Sequence, residues 1–145
     1  MLDNLLDESN IINAENSILG RLASIVAKRL LNGEKIIIVN ADKGLISGRG
    51  DLIASRYSQR RRIKTKSNPL KGPFYPRETD KILKRTIRGM LPYHKSKGKE
   101  AYNRLVVFKD FPEELHEKEI EIIPATQKIN PKASYISLGE LKSKI

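Results

Sequence analysis

The side chains of this chain that could do chemistry are two histidines, a few carboxylates and a dense set of cations. His94 stands among lysines and His116 in an acidic segment, neither beside a recognisable nucleophile nor at metal-ligand spacing. The acids inside the basic region, Asp51, Glu78, Asp80 and Glu100, form no obvious cluster. Glu78 and Asp80 read instead as first-turn charge at a helix N-terminus. There is no cysteine, which excludes disulfides, thiolate zinc and thiol catalysis. No catalytic residue, metal, cofactor or small-molecule substrate is therefore expected. The cations remain, and their chemistry is anion binding. Arg49, Arg56 and Arg60 fall at i, i+7 and i+11, along one side of a helix, and continue into Arg61 and Arg62. Lys64, Lys66, Lys71 and Arg77 follow, then Lys81, Lys84, Arg85 and Arg88, then His94, Lys95, Lys97 and Lys99. The guanidinium fork matches phosphate oxygens, and the ammonium supplies a compact charge. A solvated face is the plain alternative for any charge run. Here it is the weaker reading, because no acid lies between Arg56 and Arg77 to offset the repulsion.

Composition supports a polyanion partner. The chain carries 28 Lys and Arg against 17 Asp and Glu, net +11. Residues 49 to 104 hold 17 bases and 4 acids, net +13, so the rest of the chain is slightly acidic. A charge placed for solubility would mix its signs, whereas a one-signed middle third is the footprint of nucleic acid. No run approaches the roughly 20 apolar residues of a spanning helix, so a membrane partner is not expected. The rival class is an RNA-processing or RNA-modifying enzyme sharing this basic surface.

The elements that must position these cations read as α/β. Asn10 to Ala14 is a short strand, Asn16 or Ser17 a helix cap, and Ile18 to Asn32 an amphipathic helix ended by Gly33. Lys35 to Val39 is a β-branched run of the kind buried on both faces of a parallel sheet, completing a βαβ unit. Gly20 near its first turn lacks the companions of a dinucleotide or phosphate loop, and is read as allowing close helix packing. Ser47 caps a helix from about Gly48 to Arg61 with Leu52, Ile53 and Tyr57 inward. Residues 63 to 77 hold three prolines and few apolar groups, which predicts a basic extended loop that orders against its partner. Phe74 and Tyr75 either anchor that loop or stack on unpaired bases.

From Thr79 a helix sets Leu83, Ile87, Met90 and Leu91 on one face and Lys81, Lys84, Arg85 and Arg88 on the other. Gly89 is expected at positive φ and Pro92 stops the helix before a lysine-rich loop around Gly98. A short helix, a strand at Leu105 to Phe108, an acidic stretch from Asp110 to Glu121, an extended piece at Glu121 to Pro124 and a final helix capped by Ser137 complete the chain. The acidic stretch is read as facing away from the polyanion, either solvated or against a basic neighbouring protein. The first nine residues are read as an acidic tail rather than a signal peptide, and the protein as cytoplasmic.

Arg88-Gly89-Met90-Leu91-Pro92, then Gly98 after five residues, then Leu105 to Asp110 after six more, resembles the signature of the universal large-subunit ribosomal protein family numbered thirteen. Gly20 to Ser24, Asn40-Ala41, Ser47-Gly48, Asn68-Pro69, Gly72-Pro73 and Arg77 resemble family positions too. Arg60-Arg61-Arg62 stands where the bacterial branch has a glycine-rich run, which favours the archaeal and eukaryotic branch. The resemblance implies a structural constituent of the large ribosomal subunit that binds large-subunit ribosomal RNA and neighbours other large-subunit proteins. The combined expectation is one domain over residues 1–145 with a three-layer α/β/α fold. It has a small, mainly parallel sheet, a tail at residues 1–9 and the basic loop at residues 63–77.

Overall fold

The computed structural model describes residues 8–145, so the expected tail lies outside the described residues up to position 7. In chain order the described elements are β1 (Ser9–Asn13), α1 (Leu19–Leu31), β2 (Lys35–Val39), β3 (Leu45–Ser47), α2 (Gly50–Arg62), α3 (Thr79–Gly89), α4 (Ser96–Asn103), β4 (Leu105–Val107), β5 (Ile120–Glu121), β6 (Tyr135–Ser137) and α5 (Leu138–Lys144). Ser9, expected in the tail, instead pairs in β1 opposite Lys35.

The β-branched run of β2 forms the middle of a parallel sheet in the order β4-β2-β1-β5. Ile11 lies opposite Ile37, Ile36 opposite Leu105, and Ile11 opposite Ile120. Alternation sends successive side chains to opposite faces. Ile12, Ile36 and Ile38 share one core with Leu22, Val26 and Leu30 of α1, Ile82, Leu83 and Ile87 of α3, and Ala101 of α4. Ile11, Ile37 and Val39 meet Leu115, Phe108 and Phe111 on the other face. One outer layer is thus α-helical, while the described part of the other is thin, built around the 3-10 turn Glu113–Leu115.

The strand expected at residues 45 and 46 joins a second sheet. β3 runs antiparallel to β6, with Ile46 opposite Ile136. Ile136, Leu138 and Leu141 carry this sheet and α5 into the main core, where α2 contributes Ala54. Ser137 ends β6 and caps α5, its Oγ accepting from the Glu140 amide at 3.2 Å.

Several local expectations are corrected. Neither Asn16 nor Ser17 caps α1, whose cap position is Ile18. Asn16 takes a positive φ of 57°, while Ser17 is fully buried and its hydroxyl accepts from Thr126 and from Gln127 at 3.0 Å each. A buried hydroxyl satisfied by a loop more than 100 residues away does not show in local sequence. Arg49, not Ser47, is the residue before α2, and Leu52 is 59% exposed rather than inward. Gly20 faces solvent with nothing near the place of a side chain, so it is not a close-packing position. Positive φ among the described glycines belongs to Gly33 and Gly48, not Gly89, and α3 ends instead with Met90 as a half-exposed cap.

Candidate nucleic-acid interface

All the nominated cations stem from α2, the 63–77 segment, α3 and the approach to α4. Arg49, Arg56, Arg60, Arg61 and Arg62 are exposed on or beside α2, as are Lys64, Lys66, Lys71 and Arg77 on the segment that follows. That segment is not extended throughout, because Pro69–Lys71 forms a 3-10 turn closed by the Gly72 amide. Its far end is tied down: the Arg77 Nε donates to the Lys142 carbonyl at 3.3 Å, and the Arg85 guanidinium donates to the Phe74 carbonyl. The two aromatics differ in their surroundings. Tyr75 is half-buried under the Arg85 guanidinium, 4.3 Å from its ring centre, whereas Phe74 stays 66% exposed. Tryptic cleavage of the free protein should therefore begin at Lys64 and Lys66, before the anchor, and bound RNA should suppress it. Limited proteolysis followed by mass spectrometry checks this; equal cutting with and without RNA would contradict it.

On α3 the expected separation of faces holds for Leu83, Ile87 and Leu91 but not for Met90, which is 43% exposed, and Ile82 is an unforeseen core residue. Three of its four cations are not free chains in water. Lys84 lies 4.9 Å from the Tyr102 ring centre, Arg85 over Tyr75, and Arg88 5.2 Å from the Tyr93 ring centre. Tyr93 and Tyr102 pack edge to face at 5.3 Å. On α2, Arg60 sits 5.7 Å from the Tyr57 ring centre. A cation resting on a ring keeps its charge and loses rotamers, which prepares it to meet an anion. Burial raises the pKa of the Tyr57 and Tyr102 phenols against the opposing pull of nearby arginines, so both stay neutral hydrogen-bond donors. These rings were missed as a group, although four of the five tyrosines fall inside the basic third.

The lysine-rich loop is largely a helix. Lys95 is the residue before α4, and Lys97 and Lys99 lie in its first turn, which holds no acid to offset them. His94 is exposed beside Lys95 and lines an open groove of about 620 Å³ with Arg88, Pro92 and Tyr93. The helix can start here because Gly98 is buried against the backbone: a Cβ at that position would overlap the Pro92 carbonyl and stand 2.8 Å from the Tyr93 amide nitrogen.

The remaining charges do structural work. Arg104, though inside the basic third, donates to the Leu30 carbonyl at the end of α1 at 2.7 Å. The ion pairs of the described residues use Arg29, Lys35, Lys43, Lys109, Lys142 and Lys144, and none uses a nominated cation. Glu78, expected only to favour the start of α3, accepts from Lys109 and, at 2.9 Å, from Lys142, joining β4's exit to α5. The Lys109 hydrogen bond first and the Lys142 bond second hold its carboxyl pKa down at about 2. A carboxylate depressed in the folded state contributes stability above its unfolded pKa of 4.5, which is lost as pH falls toward about 2. Melting curves of Glu78→Gln and the parent should thus differ at pH 6 and converge toward pH 2; a gap independent of pH would show that the carboxylate charge is not what matters.

Among the described residues no three His, Cys, Asp or Glu side chains converge as metal ligands. The acids of the basic third are spread over three helices, with Glu78 and Asp80 at the start of α3, Glu100 on α4, and Asp51 on α2 facing Lys144 at 3.3 Å. His116 packs its ring on Phe111 at 4.4 Å.

Known proteins are similar to this chain over most of its length. The family model described as ribosomal protein L13 matches residues 7–114. The chain is 43% identical to the large ribosomal subunit protein uL13 of Archaeoglobus fulgidus over 97% of its length and 90% of that protein's. It is 48% identical to the uL13 protein of Methanocaldococcus jannaschii over 90% of its length and 93% of that protein's. Against the uL13 protein of Methanosphaera stadtmanae it is also 48% identical, over 83% of its length and 85% of that protein's.

Proposed function

Since the chain belongs to the ribosomal protein L13 family, and is a structural protein of the large ribosomal subunit rather than an enzyme, we propose that one face of it is the ribosomal RNA contact. That face comprises α2, residues 63–77, α3 and the start of α4, carried by a single RNA-binding domain. As a large-subunit protein its partners are ribosomal RNA and other ribosomal proteins. The finer assignment is that Arg49, Arg56, Arg60, Arg61, Arg62, Lys64, Lys66, Lys71, Arg77, Lys81, Lys84, Arg85, Arg88, His94, Lys95, Lys97 and Lys99 meet the RNA, while Asp110 to Glu121 faces away.

One observation carries the proposal: every ion pair among the described residues is made by cations outside this set. A protein that used its middle third only for its own stability would have paired some of it. Unpaired like charges repel, and packed RNA phosphate relieves that repulsion while releasing counterions. Lysines at the start of α4 also oppose the helix dipole, a cost of a few tenths of a kcal/mol each that an anion there would reverse. Held between RNA segments, such a face lowers the repulsion between backbones that must pack closely.

The test is a salt titration of binding to extracted large-subunit RNA. Replacing Lys95, Lys97 and Lys99 with Gln should reduce the log-log slope by about 2 to 3, at roughly 0.7 to 0.9 per phosphate contact. Replacing Glu113, Glu114 and Glu117 with Gln should leave affinity equal or slightly higher. A large loss from the glutamate variant, with the lysine variant unchanged, would put the RNA on the opposite side.

A further inference from the structure

We infer that the groove between α2 and α3 is a socket for one unpaired nucleotide of the bound RNA, the base lying against Tyr57 and Tyr75 and its phosphate against Arg60 and Arg85. The inference rests on the preceding reading that this face meets RNA, and adds to it a contact with a base rather than the backbone. The groove has a volume of about 200 Å³ and opens on the basic face. Its floor is apolar, set by Ile82 at 3% exposure. Its walls are the half-buried rings of Tyr57 on α2 and Tyr75 from the 63–77 segment. Both arginines are already seated over those rings, at 5.7 and 4.3 Å. Arg85 is fixed further by its bond to the Phe74 carbonyl, so ring, cation and backbone are locked together before any ligand arrives.

The occupant follows from these parts. No carboxylate lines the groove, and Arg56, Arg61 and Lys81 stand exposed on the same helices, so the ligand is anionic. An acidic protein side chain would use the two arginines and leave both phenol rings idle. A nucleotide uses everything present: a flat base for the rings and the apolar floor, a phosphate for the guanidinium groups, and base-edge polar atoms for the Tyr57 and Thr86 hydroxyls. Thr86 already donates to the Ile82 carbonyl at 2.9 Å, which leaves its oxygen as an acceptor toward the groove. Tyr57, a neutral phenol whose pKa burial raises further, supplies a donor. Every base offers a ring face, so the socket selects an unpaired nucleotide before it selects a sequence.

The test uses the full chain with extracted large-subunit RNA and three variants, each confirmed folded by its melting curve. Thr86→Met fills the groove without deleting packing, Tyr75→Leu removes one ring, and Lys81→Gln alters the face outside the groove. Thr86→Met and Tyr75→Leu should each weaken binding on the order of 10- to 100-fold, the worth of a stacked base, and Thr86→Met, which shuts out the nucleotide together with its phosphate, should also lower the salt slope by about one contact. Lys81→Gln should lower the slope by about one contact, and ultraviolet crosslinking of the parent complex should leave a nucleotide adduct on the peptide bearing Tyr57 or Tyr75. If the groove variants bind like the parent while Lys81→Gln still changes the slope, RNA lies on this face without a base in the groove, and the socket is overturned. If Lys81→Gln leaves the slope unchanged as well, the RNA face itself has been misplaced. If RNA affinity is intact but Thr86→Met is excluded from reconstituted subunits, the occupant is a protein side chain and the socket is likewise overturned.

Discussion

Ile87→Ala is expected to cost about 2 to 5 kcal/mol of folding stability while leaving the salt dependence of RNA binding unchanged under conditions where the variant stays folded. Ile87 is fully buried between α3 and the sheet, so truncation loses apolar burial and leaves a cavity the surrounding helices can only partly close. One residue on, Arg88→Gln should do the reverse. Its log-log slope should fall by about 0.7 to 0.9, one phosphate's worth. Stability should drop by no more than about 1 kcal/mol, because the guanidinium also rests on the Tyr93 ring. A denaturant melt and a salt titration on the two variants check both halves. Should Arg88→Gln unfold the protein with its slope intact while Ile87→Ala alters the slope without loss of stability, the two faces of α3 would be exchanged.

This separation was legible in the sequence because it depends only on helical period, and Leu83 and Ile87 on one side with Lys81, Lys84, Arg85 and Arg88 on the other fix it. The β2 run was legible for a similar reason: five consecutive residues that are mostly β-branched have no polar face to show water. What did not show depends on partners far along the chain. β6 is three residues long, and its only reason to be a strand is β3, some 90 residues earlier. Ser17 looked like a helix cap because its immediate neighbours allow one, but Thr126 and Gln127 claim its hydroxyl first. Leu52 was placed inward by period alone. α2 touches the rest of the protein through little more than Ala54 and the half-buried Ile53 and Tyr57, so it lacks a second layer to cover the wider apolar face. The cations were found by count, and their organisation on tyrosine rings was not, since nothing in the spacing of Tyr75, Tyr93 and Tyr102 announces that three separate segments bring them to one helix.

The charge pattern and the fold share one geometric cause. The parallel sheet needs a crossover between β2 and β4, and that crossover is the whole stretch from Asn40 to Arg104, which carries nearly all the excess positive charge. Its α3 and α4 are held to the sheet by apolar residues, and the outward surface they leave is the basic one. The same connection therefore supplies the sheet's covering layer and the proposed RNA face. Changes that loosen the covering layer should disturb the face indirectly, and the place where the two are most tightly joined is Gly98.

Gly98→Ala is expected to destabilise the protein by about 3 kcal/mol, the upper end of the usual overpacking cost, because the added methyl meets backbone and not a flexible side-chain end. The overlap is with the Pro92 carbonyl and the Tyr93 amide, so relief requires α4 to move away from the turn that ends α3. Alanine's better helix propensity returns at most about 1 kcal/mol, which does not change the sign. Gly20→Ala is the matched control: Gly20 is exposed within α1 with nothing near its side-chain position, so the same exchange should stabilise by about 0.5 to 1 kcal/mol. For a chain of this size the two variants should melt on opposite sides of the parent, Gly98→Ala lower by roughly 6 to 12 °C. Moving α4 also moves Lys95, Lys97 and Lys99, which surround the glycine. Gly98→Ala should accordingly lose RNA affinity even at temperatures where it remains folded, with a shallower salt slope, whereas Gly20→Ala should bind as the parent does. A Gly98→Ala protein that melts and binds like the parent would mean that the contact between α4 and Pro92 is not as close as described, and that the lysines at the start of α4 take their position from elsewhere.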